Sequence, residues 1–253
     1  REVLISRTRD YIQDNYNDVK IGDREIKTPD RVPHLVTGAD SDMEELYSKI
    51  IDKVAGKDSE DDGGLNLPYV GIGRYGELEE AEDFELEYRN ASALLVILLF
   101  KRLESSLRAF ENSVDSLMER EKAIRKIAKG EWNQSRDREN VLHYFDSMDD
   151  EGVLDDADID EIQDAVDRLG QDQRMEIVQD VSEDLTALEN IKELAQDYLT
   201  QEEQDAKVEE LRKLIKNDLA DEKVLIFTQY IPTAEYLFEK LSENSSGTTG
   251  RIE

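Results

Sequence analysis

The chain has 253 residues, of which 38% are hydrophobic, enough to build a real core in one large domain or two small ones. It carries 62 acidic residues against 32 basic ones, a net charge of −30. It has no Cys, which excludes disulfides and a thiolate zinc site.

Three origins for such acidity compete: disorder, mimicry of nucleic acid and adaptation to high salt. Disorder would erase the apolar periodicity that runs through almost every segment. Mimicry would gather the acid on one surface, whereas Asp and Glu are spread throughout. A halophilic, cytoplasmic source is expected, because molar salt shortens the Debye length to about 3 Å and screens self-repulsion. The longest wholly apolar run, Ala93 to Phe100, is too short to span a bilayer, and the start does not read as a signal peptide. The chain opens in mid-pattern without Met, which predicts a piece of something longer.

Residues 3 to 16 place Val3, Leu4 and Ile12 at helical spacing and predict a short helix. Val19, Ile21 and Ile26 flank Gly22-Asp23 as in a small hairpin, and Pro33 keeps the next stretch extended. Ser41 and Glu44 have capping-box spacing, ahead of a helix burying Leu46, Ile50 and Val54 with Tyr47 and Ile51 beside them. Lys57 to Gly76 reads as a loop.

One long helix is then expected from about Leu78 to Lys129, roughly 75 Å. Leu95, Leu99, Leu103, Leu107, Phe110, Val114, Leu117, Ile124 and Ile127 mark its apolar face. Residues 93 to 100 are apolar all round, which predicts enclosure by neighbouring helices.

Gly130 and Trp132 break the pattern. Three further helical patterns follow: VLHYFDSM, DDADIDEIQDAVDRL ending near Gly170, and the run from Asp172 to Leu199. Thr200 and Glu203 cap a helix reading DAKVEELRKLI. Lys223 to Tyr230, KVLIFTQY, has the composition and length of a strand, and Pro232 opens a last helix. The fold class expected is mainly α: a helical bundle around one long helix, with a short N-terminal hairpin and a strand-helix start of a truncated α/β lobe at the C-terminus.

Few constellations carry chemistry. Gly71, Gly73 and Gly76 match GxGxxG, but a dinucleotide site needs a buried strand before it, and here Pro68 precedes and a run of acids follows. Asp156, Asp158, Asp160, Asp164 and Asp167 fall at calcium-loop positions, yet Glu161 stands where that loop needs Gly, and Ile159, Ile162, Val166 and Leu169 keep helical period. His34 and His143 are isolated, with no metal or triad spacing. Arg120, Lys122, Arg125, Lys126 and Lys129 form the one basic cluster. They read either as cations offsetting a helix C-terminus or as phosphate contacts for nucleic acid.

Four stretches resemble Swi/Snf-type ATPases of helicase superfamily 2. Leu4 to Asp10 is similar to the family's LRRT stretch, and Thr28-Pro29-Asp30-Arg31 with His34, Val36, Met43, Leu46 and Tyr47 to its LPxK segment and the following helix. Asp205, Lys207, Leu211, Leu214 and Ile215 match DxKxxxLxxLL, and Lys223 to Tyr230 matches motif IV. Lys101 to Ser106, KRLESS, resembles archaeal members. The resemblance implies the end of a first RecA-like lobe at 1–17, a helical insertion at 18–222 and the start of a second lobe at 223–253. It implies a parent helicase or translocase that uses ATP and magnesium on nucleic acid, duplex DNA first, with Thr228 and Gln229 facing the backbone. No GxGKT, DEAH-type or QxxxRxxR segment is present, so by itself this chain is expected to be inactive and to need no cofactor or metal. The alternative from another class is a helical protein–protein interaction or self-association module without motor activity.

Overall fold

The computed structural model describes residues 20–21, 24–25, 41–55, 64–76, 81–133, 137, 159–201, 205–220 and 224–242. The chain divides into two compact units, Arg1–Thr37 and Gly38–Glu253. In the first, β1 (Lys20–Ile21) pairs antiparallel with β2 (Arg24–Glu25), Lys20 opposite Glu25 and Ile21 opposite Arg24. That two-residue ladder is the only sheet among the described residues. The LRRT-like stretch, the Thr28–Arg31 segment, both histidines, Asp156 and Asp158 lie outside the described residues.

The second unit is a helical bundle of α1 (Ser41–Ala55), α2 (Ala81–Ser105), α3 (Leu107–Ala128), α4 (Ile159–Asp167), α5 (Gln171–Gln201), α6 (Ala206–Lys213) and α7 (Ile231–Ser242). Helix α3 is its axis. Leu107, Phe110, Val114, Leu117, Ile124 and Ile127 line its apolar face, and Ala109, Ser113, Ser116 and Ala123 are buried on its other sides. Small residues there let neighbours approach closely. Helices α2, α4, α5 and α7 all pack on it, α5 most extensively. Along α5, Ile177, Val181, Leu185, Leu188, Ile191, Ala195 and Tyr198 recur at threes and fours and are buried, one continuous stripe facing the core.

The single long helix expected from Leu78 to Lys129 is instead two. Ser106 leaves the helix with φ −161° and ψ 151°, and its Oγ accepts the Ala109 N–H at 3.0 Å as the N-cap of α3. Nor are residues 93 to 100 the enclosed part. Leu95, Leu98 and Leu99 are buried, but Ala93 is exposed and Ile97 is 51% exposed, so α2 lies at the flank of the bundle and α3 at its centre. Ile51 of α1, expected beside the core, is exposed too.

At the far end of α3, Gly130 adopts φ 70°. Its N–H reaches the Ile127 carbonyl at 2.9 Å and the Glu131 N–H reaches that of Lys126 at 2.8 Å, a Schellman closure that needs the left-handed residue. The predicted break at Gly130 therefore has a definite geometry.

The C-terminal strand is absent. Val224–Thr228 takes neither helix nor strand, and no described segment pairs with it. A strand requires a hydrogen-bonded neighbour, so the β-branched composition of this run is unrealised locally. This corrects the expected fold class. A RecA-like lobe is an α/β layer with helices on a mostly parallel sheet, and the described residues hold none. The described residues of the second unit form a helical bundle, and the resemblance to Swi/Snf-type ATPases fails on this ground.

Candidate interaction surface

The most unusual surface lies where α6 and α7 meet the bundle. Asp205 caps α6, its Oδ1 accepting from Lys207 N–H at 2.9 Å. The Lys207 ammonium donates to the Tyr47 hydroxyl at 3.2 Å and to the Glu104 carbonyl, and Tyr47 donates to the Leu103 carbonyl at 3.3 Å. These bonds fix α6 to α1 and the end of α2. A π-helical turn, Leu214–Asp218, follows α6.

Helix α7 is seated on the α2–α3 break. Thr233, 4% exposed, shares its hydroxyl with Ser105 at 2.9 Å and Ser106 at 2.8 Å. The buried Arg102 guanidinium lies 4.8 Å from the Tyr230 ring centroid, a cation–π contact. Arg212 of α6 donates to the Lys240 carbonyl, and the Tyr236 hydroxyl donates to Asp205 Oδ2 at 3.4 Å. Burial, then the Asp205 charge, holds the Tyr236 proton more tightly than usual. The KRLESS run thus serves as the dock for α7.

On this anchored base sits an apolar surface turned to water. Leu225 is 75% and Phe227 85% exposed. Val224, Ile226, Ile231 and Phe238 are exposed as well. Ile231 and Phe238 are seven residues apart and so share one face of α7. Single exposed apolar residues are ordinary, but a group of six on and beside one connection is a candidate docking surface.

Thr228 and Gln229 lie in this same connection. Thr228 is half-buried and its Oγ1 accepts the Tyr230 N–H at 3.4 Å, while the Gln229 side chain is exposed. The basic cluster is dispersed around α3. Arg120 faces inward, 3% exposed, over the Tyr69 ring at 5.1 Å. Lys122 pairs with Glu119 at 2.7 Å and Lys126 with Asp137 at 3.0 Å; Arg125 is half-buried and Lys129 exposed. Asp160, Asp164 and Asp167 lie on α4, and among the described residues no group of His, Asp or Glu could hold a metal ion.

A polar cluster that the sequence conceals lies between α3 and α5. Residues 64–76, which include the GxGxxG run, strap across these helices and bury Leu65, Leu67, Tyr69 and Tyr75. Three carboxylates hold the strap. Asp184 accepts the N–H of Asn66 at 2.7 Å and of Leu67 at 2.6 Å; Glu121 accepts that of Tyr69 at 3.4 Å; Asp180 accepts from Arg74 and the Tyr75 hydroxyl, both at 2.6 Å. Burial pushes Asp184 up to about 6, against the two N–H bonds that favour its charge. Glu121 is fully buried and its Oε2 has no hydrogen-bond partner among the described residues; burial and the Asp184 charge raise it well above the usual carboxylate range. The glycine motif is therefore part of a structural strap. The signal for the cluster was its register: Glu121 falls between Leu117 and Ile124, and Asp184 between Val181 and Leu188, on the apolar stripes of their helices.

Comparison with known proteins adds no relative. No family model, curated protein or solved structure matches the chain. The motor reading, with its helicase, hydrolase, ATP-binding and DNA-binding terms, is overturned by the helical bundle without a RecA-like sheet. No helix among the described residues is long and apolar enough to cross a membrane.

Proposed function

We propose that this chain is a helical protein–protein interaction module, with its docking surface at Val224–Phe227, Ile231 and Phe238. The observation that carries the reading is the exposure of Phe227 and Leu225, at 85% and 75%, on a base held firmly by Thr233, Tyr230 and Arg102. An aromatic and an aliphatic anchor on a fixed base lose little conformational freedom on binding. The segment is uncharged from 224 to 234, whereas 37% of the chain is charged, so the surface can be desolvated without stripping ions of water. No cofactor enters this reading, and the cytoplasm is the setting it assumes, in keeping with the cysteine-free composition.

The test is the double substitution Leu225→Asp and Phe227→Asp. Docking residues can be replaced with almost no effect on the unfolding midpoint, within about 0.5 kcal/mol in stability, while assembly with other chains, read by chemical crosslinking in the cells that make the protein, is lost. A large loss of stability, or unchanged assembly, refutes the reading.

A further inference from the structure

We infer that the partner at this surface is a second copy of the chain, joined by antiparallel pairing of Val224–Thr228 about Ile226; this rests on the interaction reading above. The first observation is the backbone. Val224, Leu225, Ile226 and Phe227 have no hydrogen-bond partner among the described residues. Their side chains alternate in exposure, 40%, 75%, 40% and 85%, the two-residue period of a strand with two faces. An uncovered row of backbone donors and acceptors in a β-branched and aromatic run is a template for pairing.

The second observation is where this chain is free of charge. Its three longest uncharged runs are residues 63–73, 90–100 and 224–234. The first places Leu65, Leu67 and Tyr69 in the core and the second Leu95, Leu98 and Leu99. The first two runs thus each set a row of residues in the core, although Ala93 and Ile97 of the second are exposed, whereas the third turns Leu225 and Phe227 largely to water.

The third is register. A two-fold axis at Ile226 sets Ile226 opposite its own copy, Leu225 opposite Phe227 and Val224 opposite Thr228. Apolar residues face apolar ones at the centre, and no like charges stand directly opposite across these pairs. That matters when each copy carries −30.

Because the chain lacks Cys, one engineered thiol reports the register without background. Ile226→Cys, in molar potassium chloride with a mild oxidant, is expected to give a disulfide-linked dimer, since paired positions lie about 4.5–5.5 Å apart. Met175→Cys, 64% exposed on α5 and away from the pairing segment, is expected to give no disulfide-linked dimer. Sedimentation equilibrium is expected to show a dimer for the native chain and at least tenfold weaker association for Phe227→Asp, with circular dichroism confirming that each variant stays helical. A native chain that is monomeric at its highest soluble concentration, with Ile226→Cys uncrosslinked, overturns the inference. If a photoreactive residue at position 227 then joins a different protein, the interaction reading stands and only the second copy is lost. If it joins none, both fail.

Discussion

Asp184 makes the stability of the bundle depend on pH in a direction that can be worked out. In the unfolded chain an aspartate gives up its proton near 3.8; in the folded bundle burial delays this to about 6. Between those values the folded state binds more protons than the unfolded state, so the unfolding free energy falls as pH rises through the window and levels off above it. At about 1.4 kcal/mol per pH unit, holding the charge inside costs about 3 kcal/mol at neutral pH. Roughly half of that, about 1.5 kcal/mol, is recovered on lowering the pH from 7.5 to 5, still above the isoelectric point of 4.4. Relief of the overall self-repulsion acts in the same direction, so the effect must be isolated by substitution. Asp184→Asn loses one acceptor for the Asn66 and Leu67 N–H groups and starts lower in stability. Its stability relative to the native chain is the quantity to follow. Urea unfolding by circular dichroism, at fixed high salt and four pH values between 5 and 7.5, is expected to show the native chain gaining about 1.5 kcal/mol more than the variant as pH falls. Glu121 remains in both proteins, but its proton affinity is partly raised by the Asp184 charge, so the pH-dependent difference reports the pair. A difference independent of pH refutes the assignment of a raised proton affinity to Asp184.

Three further outcomes follow from the packing and the charge. Phe110→Ala, fully buried on α3, is expected to cost about 3–5 kcal/mol in chemical unfolding, whereas Ile97→Ala on the exposed side of α2 costs under about 1 kcal/mol; equal costs would contradict the placement of α3 at the centre. Gly130→Ala is expected to cost about 1 kcal/mol, from φ 70° alone, because a Cβ there meets nothing within 4 Å. The melting temperature in dilute buffer is expected to lie well below that in molar potassium chloride, since −30 is unscreened at low salt; equal values would remove the halophilic origin.

Much of the bundle is readable in advance because its stripes are long. The α5 pattern from Ile177 to Tyr198 and the α3 pattern from Leu107 to Ile127 each exceed five turns, and only a helix aligns such residues on one side. The break between α2 and α3 is hidden for a physical reason. KRLESSLRAF has no Pro or Gly, and Ser106 leaves the helix because its hydroxyl finds both Ala109 N–H and Thr233, the latter 127 residues away. KVLIFTQY misleads in the opposite sense. Its residues favour a strand, but propensity acts only where a partner strand supplies hydrogen bonds, and none is among the described residues. Glu121 and Asp184 escape notice among 62 acidic residues, and only their place on apolar stripes sets them apart. The basic cluster illustrates the limit of spacing in one dimension: Arg120 adjoins Lys122 in sequence yet points into the core at Tyr69.

On the proposed reading, another protein chain covers the surface around Phe227. A photoreactive amino acid placed at position 227 in the cells that make this protein, with the same group at position 175, also well exposed, as control, tests it most directly. Efficient adducts from 227 and few from 175 are the predicted result; equal or absent labelling at the two positions would contradict it.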